Sequence, residues 1–136
     1  MIVLDTNVVS EALRPQPSPI AMAWIDQQVQ ALAVTSITVG ELWTGVLALP
    51  EGKRRQTLAQ AVGRVLQGPA VLSYDAAAAR VYAILRRTAQ DAGRGLSVED
   101  GMIAAICISR GAPLATRNTS DFEALPLEIV NPWQSS

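Results

Sequence analysis

Short apolar runs alternate with longer segments of helical periodicity along the whole chain. The apolar runs predict buried strands at residues 2–4, 32–34, 71–72, 114–115 and 127–130. The segments between them predict helices at residues 8–13, 19–28, 37–49, 50–67, 76–91 and 97–109, several of them bounded by proline or glycine. Repeated strand–helix alternation is typical of an α/β fold, so we expect a mainly parallel sheet.

Length and composition indicate one globular domain whose chemistry cannot depend on histidine. The 136 residues suit a single domain spanning 1–136, and 49% hydrophobic with 17% charged residues excludes a disordered chain. The sequence contains no histidine and one cysteine. These counts exclude histidine-based catalytic triads, zinc sites built on histidine or several cysteines, and disulfide frameworks. Any catalysis must therefore depend on carboxylates, arginines, hydroxyl groups or a bound ion.

The charges are separated along the chain although they almost cancel overall. The net charge is −1, yet residues 53–94 hold eight basic and two acidic side chains, which gives this segment +6 and the remainder −7. Ten of the eleven basic residues are arginines, whose guanidinium groups make paired contacts with phosphate oxygens. A basic segment of this kind indicates either a solvated helical surface or a surface that binds nucleic acid.

The sequence shows no signal for a membrane or for export. No apolar run approaches the roughly 18 residues of a membrane-spanning helix, and no basic leader precedes the first apolar run. We therefore expect a cytoplasmic protein without a membrane partner.

Two acidic residues follow predicted strands. Asp5 ends the first apolar run, and Asp121 lies in the polar loop after the strand predicted at 114–115. In open α/β sheets, ligands bind beyond the carboxyl ends of the strands. We therefore expect Asp5 and Asp121 to belong to one site.

Two further acidic residues lie on predicted helices beside apolar or small residues. Asp100 shares a helical face with the apolar residues Ile103, Ala104 and Cys107. Glu41 shares one with the apolar or small residues Ile37, Thr44, Gly45 and Ala48. An acid on a core-facing stripe needs a partner, and a group of fixed carboxylates favours a hard divalent cation.

Each acidic residue also has a purely structural interpretation. The two acids at strand ends could cap helical turns, and the pairs Thr38–Glu41 and Ser97–Asp100 resemble capping boxes. Taken together, the four acids instead favour metal-assisted hydrolysis of a phosphodiester, in which a divalent ion activates water and neutralises phosphoryl charge. That chemistry needs no histidine, in agreement with the composition.

Short motifs that include these acids follow one another along the chain. They are Leu4-Asp5-Thr6-Asn7 with Ser10-Glu11, Gly40-Glu41-Leu42, Leu49-Pro50-Glu51-Gly52-Lys53-Arg54-Arg55, Tyr74-Asp75, Asp100-x-x-Ile103-Ala104-Ala105, Ala115-Thr116-Arg117-Asn118-x-x-Asp121-Phe122 and Asn131-Pro132-Trp133. In this order the chain resembles the PIN-domain ribonucleases, specifically the VapC-type toxins of toxin–antitoxin pairs and their FitB-like branch. No single motif is specific, but the ordered set is. Gly40 departs from the commoner alanine, and Glu99 adds a fifth acid that we expect to be exposed.

The resemblance implies a PIN fold, in which a twisted, mainly parallel sheet of about four to five strands has helices on both faces. It also implies that Mg²⁺ or Mn²⁺ is held by Asp5, Asp100 and Asp121, and that Glu41 completes this acidic site. The same four acids are the implied catalytic residues. The implied substrate-positioning residues are Thr6, Asn7, Thr116 and Asn118.

The resemblance further implies a function and partners. The function is that of a metal-dependent endoribonuclease, the toxin of a type II toxin–antitoxin system, which cleaves structured RNA such as tRNA or rRNA. A cognate antitoxin would block the site, and the implied assemblies are a homodimer and a larger toxin–antitoxin complex on operator DNA. In the basic segment, we expect RNA contacts from Arg54, Arg55, Arg86 and Arg87, although exposed helical arginines without partners are the alternative.

A second class of function stays open alongside the enzyme. The protein could be a nucleic-acid-binding regulatory module that acts with its antitoxin and has little catalysis of its own. The intact set of acids favours the enzyme. Phosphatases that begin with a strand and Asp need a second Asp where Asn7 stands, and receiver domains need a late lysine, whereas Lys53 is the only lysine.

Overall fold

The computed structural model describes residues 1–134, in which five strands alternate with six α-helices. In chain order these are β1 (Ile2–Leu4), α1 (Thr6–Ala12), α2 (Pro19–Asp26), β2 (Leu32–Thr35), α3 (Ser36–Leu47), α4 (Lys53–Val65), β3 (Ala70–Leu72), α5 (Ala76–Asp91), α6 (Val98–Arg110), β4 (Leu114–Ala115) and β5 (Ile129–Val130). A 3₁₀ turn, Thr119–Phe122, lies between β4 and β5. The longest helix is α5, with 16 residues, and within residues 1–134 no helix is long and apolar enough to cross a membrane.

The strands form one parallel sheet in the order β3-β2-β1-β4-β5. In this sheet Val3 of β1 is paired with Ala33 of β2 on one side and with Leu114 of β4 on the other. The chain moves outward from β1 to β3 and then returns to the opposite side of β1. The strand order therefore reverses between β1 and β4, which opens a crevice at the carboxyl ends of these two strands. The predicted parallel sheet is confirmed.

Helices cover both faces of the sheet, as predicted. Successive residues of β1 point to opposite faces. Val3 packs into a core formed with α5 and α6, whereas Ile2 and Leu4 pack into a second core formed with α1, α3 and α4. Because β1 and β4 are buried on both faces, they read as uninterrupted apolar runs, whereas the edge strand β3 leaves Ala70 and Val71 exposed.

Several element boundaries differ from those predicted. The helix α1 begins at Thr6 rather than at residue 8, because Asp5 caps it. The prediction that Pro50 starts a helix is wrong, since α4 begins at Lys53 after Gly52, whose φ of 149° favours glycine. The strand expected at 127–130 contains only Ile129–Val130.

The buried carboxylate of Glu11 forms hydrogen bonds that stabilise the proline-rich connection between α1 and α2. Glu11 accepts a hydrogen bond of 2.7 Å from the backbone N–H of Ser18 and pairs with Arg14 at 3.1 Å. The bond from Ser18 and the charge of Arg14 lower the pKa of Glu11. The chain between these helices is therefore held at the edge of the second core.

Gly101 allows α5 and α6 to pack closely just beyond Asp100. A Cβ atom at this position would lie 2.8 Å from Cε2 of Tyr82, much closer than van der Waals contact. The ring of Tyr82 packs edge-to-face against Tyr74 at 6.3 Å, and the guanidinium of Arg86 lies 5.8 Å from its centre. These neighbours restrict how far the ring can move, so α5 and α6 could not pack this closely with a larger residue at position 101.

Gly101→Ala is expected to lower the melting temperature, although alanine is the better helix former. Overpacking costs about 1–3 kcal/mol, which exceeds the gain of about 1 kcal/mol in helix propensity. Gly63→Ala in α4 is the matched control, because nothing lies within 4 Å of a Cβ there, and it should raise the melting temperature. Thermal unfolding of both variants checks the pair, and a Gly101→Ala protein more stable than wild type would contradict the packing argument.

Candidate active site

Asp5 lies at the carboxyl end of β1, in the crevice where the strand order reverses. Its side chain is buried, and Oδ1 accepts a hydrogen bond of 2.8 Å from the backbone N–H of Thr6 at the start of α1. Oδ2 accepts bonds from the Thr116 hydroxyl at 2.7 Å and from the Asn7 amide at 3.3 Å. The predicted capping role of Asp5 is confirmed. Three donors occupy three of the about four lone-pair positions of a carboxylate, which leaves room for one further ligand.

Thr116 and Asn7 hold this carboxylate in a network that joins β1 to β4. The buried Thr116 hydroxyl accepts bonds of 3.1 Å from the Asn7 amide and from the backbone N–H of Asn118, while it donates to Asp5. Oδ1 of Asn7 accepts from the backbone N–H of Arg117 at 3.1 Å. The structure thus places Asn7 and Thr116 beside Asp5. Asn118 contributes its backbone, and its side chain is exposed.

Glu41 contacts the start of α1 through a hydroxyl group. The Thr6 hydroxyl donates a 2.8 Å hydrogen bond to Oε1 of Glu41 and lies 2.9 Å from the Thr38 hydroxyl. Glu41 is exposed, so the prediction that it lies on a core-facing stripe is wrong. The residues of α3 that face the core are Thr38, Leu42 and Val46.

The capping arrangement at the start of α3 also differs from the prediction. The N-cap is Thr35, whose hydroxyl accepts a 3.2 Å bond from the backbone N–H of Thr38. Thr38 therefore lies inside the helix, and the proposed capping box of Thr38 with Glu41 is wrong. The physical reason is that β2 runs directly into α3, which leaves Thr35 at the junction.

Asp100 lies in the first turn of α6 and is half-buried. Ser97 is the N-cap of this helix, and its hydroxyl accepts a 3.1 Å bond from the backbone N–H of Asp100. The expected cap by Ser97 is confirmed. The residues predicted to share its face, Ile103, Ala104 and Cys107, are all buried. Asp100 thus lies where this buried face reaches the surface.

Asp121 lies in the 3₁₀ turn after β4 and is exposed. The residue before that turn is Asn118, so the predicted capping role of Asp121 is wrong. Arg94 holds the turn on both sides of Asp121, with a 2.6 Å bond to the carbonyl of Ser120 and a 3.2 Å ion pair with Glu123. The turn is therefore tied to the loop between α5 and α6.

Burial raises the pKa values of Asp5 and Asp100, and neighbouring acids raise them further. Glu41 and Asp121 act on Asp5, while Asp5 and Asp121 act on Asp100. The hydrogen bonds from Thr116 and Thr6 to Asp5 act in the opposite direction without cancelling the effect of burial. Asp5 is therefore close enough to the other three acids for their negative charges to repel its own.

The donor atoms suit a hard divalent cation, although the carboxylates do not enclose a site as they stand. Within residues 1–134, no three acidic or thiol side chains are placed closely enough to hold an ion together. Asp5 keeps a lone pair for a further ligand, and the exposed side chains of Glu41 and Asp121 can change rotamer readily. Carboxylate oxygens without sulfur or imidazole ligands favour Mg²⁺ or Mn²⁺ over softer metals. A cation here would also relieve the repulsion that raises the pKa values.

Surface cavities connect Glu41 with the basic start of α4. Glu41 is one of the residues that line a cavity of about 350 Å³ between α1, α3 and α4. It shares Leu13 and Leu58 with a second cavity of about 490 Å³, which reaches Arg54. The two cavities therefore adjoin, and Arg54 lines the second of them. The next residue, Arg55, is half-buried.

The two arginines of α5 that were predicted to contact RNA have partners within the chain. Arg86 donates a hydrogen bond to the carbonyl of Leu96 and lies 5.8 Å from the ring centre of Tyr82. The exposed Arg87 pairs with Asp91 at 3.1 Å, four residues further along the helix. The alternative that these arginines are exposed and have no partner is therefore wrong for both residues. RNA binding by Arg86 and Arg87 stays a prediction.

Three residues outside the predicted set also contribute to the site. Thr38 contacts the Thr6 hydroxyl, Arg94 holds the turn of Asp121, and the Arg117 backbone bonds to Asn7. The position of Thr38, three residues before Glu41, could have indicated it, because helical residues at that spacing are neighbours. The bond between Arg94 and Ser120 joins residues 26 positions apart and depends on tertiary packing, so no local sequence pattern could have predicted it.

Comparison with known proteins shows similarity over nearly the whole chain. Residues 2–126 match the family model of the PIN domain. The VapC ribonuclease Y4jK of Sinorhizobium fredii is 45% identical over 138 residues, which cover 98% of this chain and 99% of that protein. Toxin FitB of Neisseria gonorrhoeae is 38% identical with the same coverage of both chains. The structure of FitAB bound to an IR36 DNA fragment is similar with a TM-score of 0.89 and 35% identity, covering 100% of this chain and 98% of that one.

Proposed function

The chain belongs to the PIN-domain family, among the VapC and FitB toxins, and from this membership we propose that it is the endoribonuclease of a type II toxin–antitoxin pair. The observation that carries the proposal is the position of Asp5. Hydrogen bonds fix its carboxylate in the crevice where the strand order reverses, and the charges of three other acids act on it. We treat residues 1–136 as one PIN domain.

The proposed reaction is hydrolysis of a phosphodiester bond with Mg²⁺ or Mn²⁺. Asp5, Asp100 and Asp121 would hold the ion, and Glu41 would complete the acidic site. When bound, such an ion makes water more acidic and offsets negative charge on the phosphoryl oxygens. The hydrogen bonds from Thr116 and Asn7 keep Asp5 in one orientation, so that little reorganisation is needed when substrate binds.

The surrounding polar residues position the reacting groups in this proposal. Thr6 orients Glu41 through its hydroxyl, and Asn7 and Thr116 orient Asp5. Asn118 presents an exposed amide at the start of the turn that contains Asp121. Its amide is available to a phosphate oxygen of the substrate.

The charge balance supports RNA as the substrate. If the four acids of the site are neutralised by metal, the other eight acids face eleven basic residues, and the outer surface is about +3. Arg54 lines one of the two adjoining cavities, and Arg55 follows it in α4. We propose that both bind RNA phosphates, with Arg86 and Arg87 contributing further along the basic segment. On the family likeness, the substrate is a structured RNA such as tRNA or rRNA.

An antitoxin is the proposed protein partner. The adjoining apolar cavities beside Glu41 offer a surface on which an antitoxin segment would block the site. We further propose a homodimer, favoured by Trp43 and Leu47, exposed apolar residues one turn apart on α3. FitAB was solved on DNA, and by analogy the proposed larger assembly is a toxin–antitoxin complex on operator DNA in the cytoplasm.

Cleavage of total cellular RNA by the purified protein tests the proposed function. Discrete fragments are expected with Mg²⁺ or Mn²⁺ and none with EDTA. Sequencing of fragment ends would then identify the RNA and the cleavage site. Cleavage that persists in excess EDTA would contradict the metal-dependent reaction.

The second candidate function is a regulatory module that binds nucleic acid together with its antitoxin. The observation that favours it is the DNA in the FitAB structure. This function predicts binding of operator DNA by the toxin–antitoxin complex, and no RNA cleavage by the isolated toxin under any metal condition.

A further inference from the structure

Three threonine hydroxyl groups lie in a line from the end of β2 to Glu41. The Thr35 hydroxyl lies 3.5 Å from that of Thr38, the Thr38 hydroxyl lies 2.9 Å from that of Thr6, and the Thr6 hydroxyl lies 2.8 Å from Oε1 of Glu41. Thr35 and Thr38 are both completely buried. The line thus connects the interior of the protein with an exposed acid of the site.

The direction of these hydrogen bonds follows from the number of protons. An ionised carboxylate can only accept, so the single hydroxyl proton of Thr6 is used in its bond to Glu41. The bond between Thr6 and Thr38 must then use the proton of Thr38. The Thr38 hydroxyl can therefore accept a hydrogen bond from the Thr35 hydroxyl but cannot donate one to it. The Thr35 hydroxyl in turn accepts a bond of 3.2 Å from the backbone N–H of Thr38. Every bond in the line points toward Glu41.

We propose that Thr38 is a positioning residue, whose hydroxyl fixes the orientation in which Thr6 donates to Glu41. The inference rests on the proposed function, because it assigns Thr38 a part in the same reaction. Thr38 itself touches only Thr6 and Thr35 among these groups, and it acts on Glu41 through Thr6. Without the Thr38 proton, the Thr6 hydroxyl loses its buried donor and can turn away from Glu41.

The geometry separates this role from simple core packing. Thr38 lies in the same row of α3 as the core residues Leu42 and Val46, where an apolar side chain would serve packing equally well. A hydroxyl buried at this position needs hydrogen-bond partners, and Thr6 provides the shorter of its two contacts. What the hydroxyl adds beyond packing is the direction of the bond to Glu41.

Thr38→Val and Thr38→Ser form a matched pair of test variants. Valine keeps the shape and removes the hydroxyl, whereas serine keeps the hydroxyl and removes a methyl group. With metal and an RNA substrate identified from total RNA, Thr38→Val is expected to lower kcat about tenfold with little change in KM, as for other residues that orient metal-site ligands. Thr38→Ser should retain most of the wild-type kcat. Equal losses in the two variants, or a Thr38→Val protein with wild-type kcat, would overturn the proposal.

A double-mutant cycle with Thr6→Val shows whether Thr38 acts through Thr6. If it does, Thr6→Val/Thr38→Val should cleave no more slowly than Thr6→Val alone, because the bond to Glu41 is already lost. Losses that multiply would indicate an independent structural role and overturn the proposal.

The same cycle, measured by thermal unfolding of the metal-free proteins, does not depend on cleavage. Thr38→Val should lower the melting temperature less in the Thr6→Val background than in the wild type, and equal decreases would overturn the hydroxyl line itself. If the wild type cleaves no RNA, the proposed function fails. The unfolding cycle then still decides whether the line exists.

Discussion

Asp5→Asn is expected to abolish RNA cleavage, with a loss of at least about 100-fold in kcat, while the protein stays folded. The substitution keeps the size of a buried side chain that reaches the switch point of the sheet. It removes a negative charge on which the proposed cation depends. It also replaces one acceptor oxygen by an amide donor.

The hydrogen-bond network explains why asparagine cannot take over the role of Asp5. Oδ1 faces the N–H of Thr6, and Oδ2 faces the Thr116 hydroxyl and the Asn7 amide. In either rotamer, the amide of asparagine would point a donor at a donor. The fold tolerates the change because it also removes a buried charge that its neighbours repel.

Asp91→Asn is the matched control for this experiment. Asp91 is exposed and pairs with Arg87 on the surface of α5. Because exposed ion pairs contribute little, the same chemical change there should leave cleavage and folding nearly unchanged. A cleavage rate for Asp5→Asn close to that of Asp91→Asn would contradict the assignment of Asp5.

Addition of Mn²⁺ or Mg²⁺ to the metal-free protein is expected to raise its melting temperature by several degrees. The charges of the other three acids repel that of Asp5, and an ion that binds only the folded state relieves this repulsion. At a metal concentration about 100 times Kd, the gain is about 2.7 kcal/mol, which corresponds to about 9 °C for a chain of this length. A melting temperature that does not change over millimolar metal would contradict a shared site.

Asp100→Asn should have opposite effects in the absence and presence of metal. Without metal it should stabilise the protein at neutral pH, because it removes a half-buried charge that Asp5 and Asp121 repel. On addition of metal, the melting temperature of Asp100→Asn should rise less than that of the wild type. Asp91→Asn is again the matched control, because Asp91 is exposed on α5 and pairs with Arg87, and this variant should respond to metal as the wild type does.

The difference in stability between metal-free Asp100→Asn and metal-free wild type should depend on pH, in a direction set by the pKa shift of Asp100. The pKa of Asp100 is raised above its ordinary value of 3.8 by burial and by the charges of Asp5 and Asp121. Below the ordinary value the carboxyl is protonated in both states, and ionisation does not destabilise the fold. As the pH rises through the higher pKa of the folded state, Asp100 ionises in its half-buried position and the folded wild type becomes less stable. The advantage of metal-free Asp100→Asn should therefore be largest at pH 7 and disappear toward pH 4, as followed by thermal unfolding.

The order of helices and strands was largely predictable from local patterns. Apolar runs located all five strands, and α5 spans the predicted residues 76–91. Such patterns reflect interactions between near neighbours, which a sequence displays directly. The start of α4 was missed because proline is compatible with a helix N-terminus, whereas the choice of Gly52 as the cap depends on the preceding turn.

The sequence by itself therefore determined the fold class and the elements that carry the four acids, and it indicated the chemistry that they favour without histidine. Only the tertiary structure decided which groups hold those acids. The bond between Thr116 and Asp5 spans 111 residues and exists because β4 pairs with β1. The hydroxyl line through Thr38 likewise requires α1 to pack against α3. These contacts depend on how distant segments are placed in space, and no local periodicity records that placement.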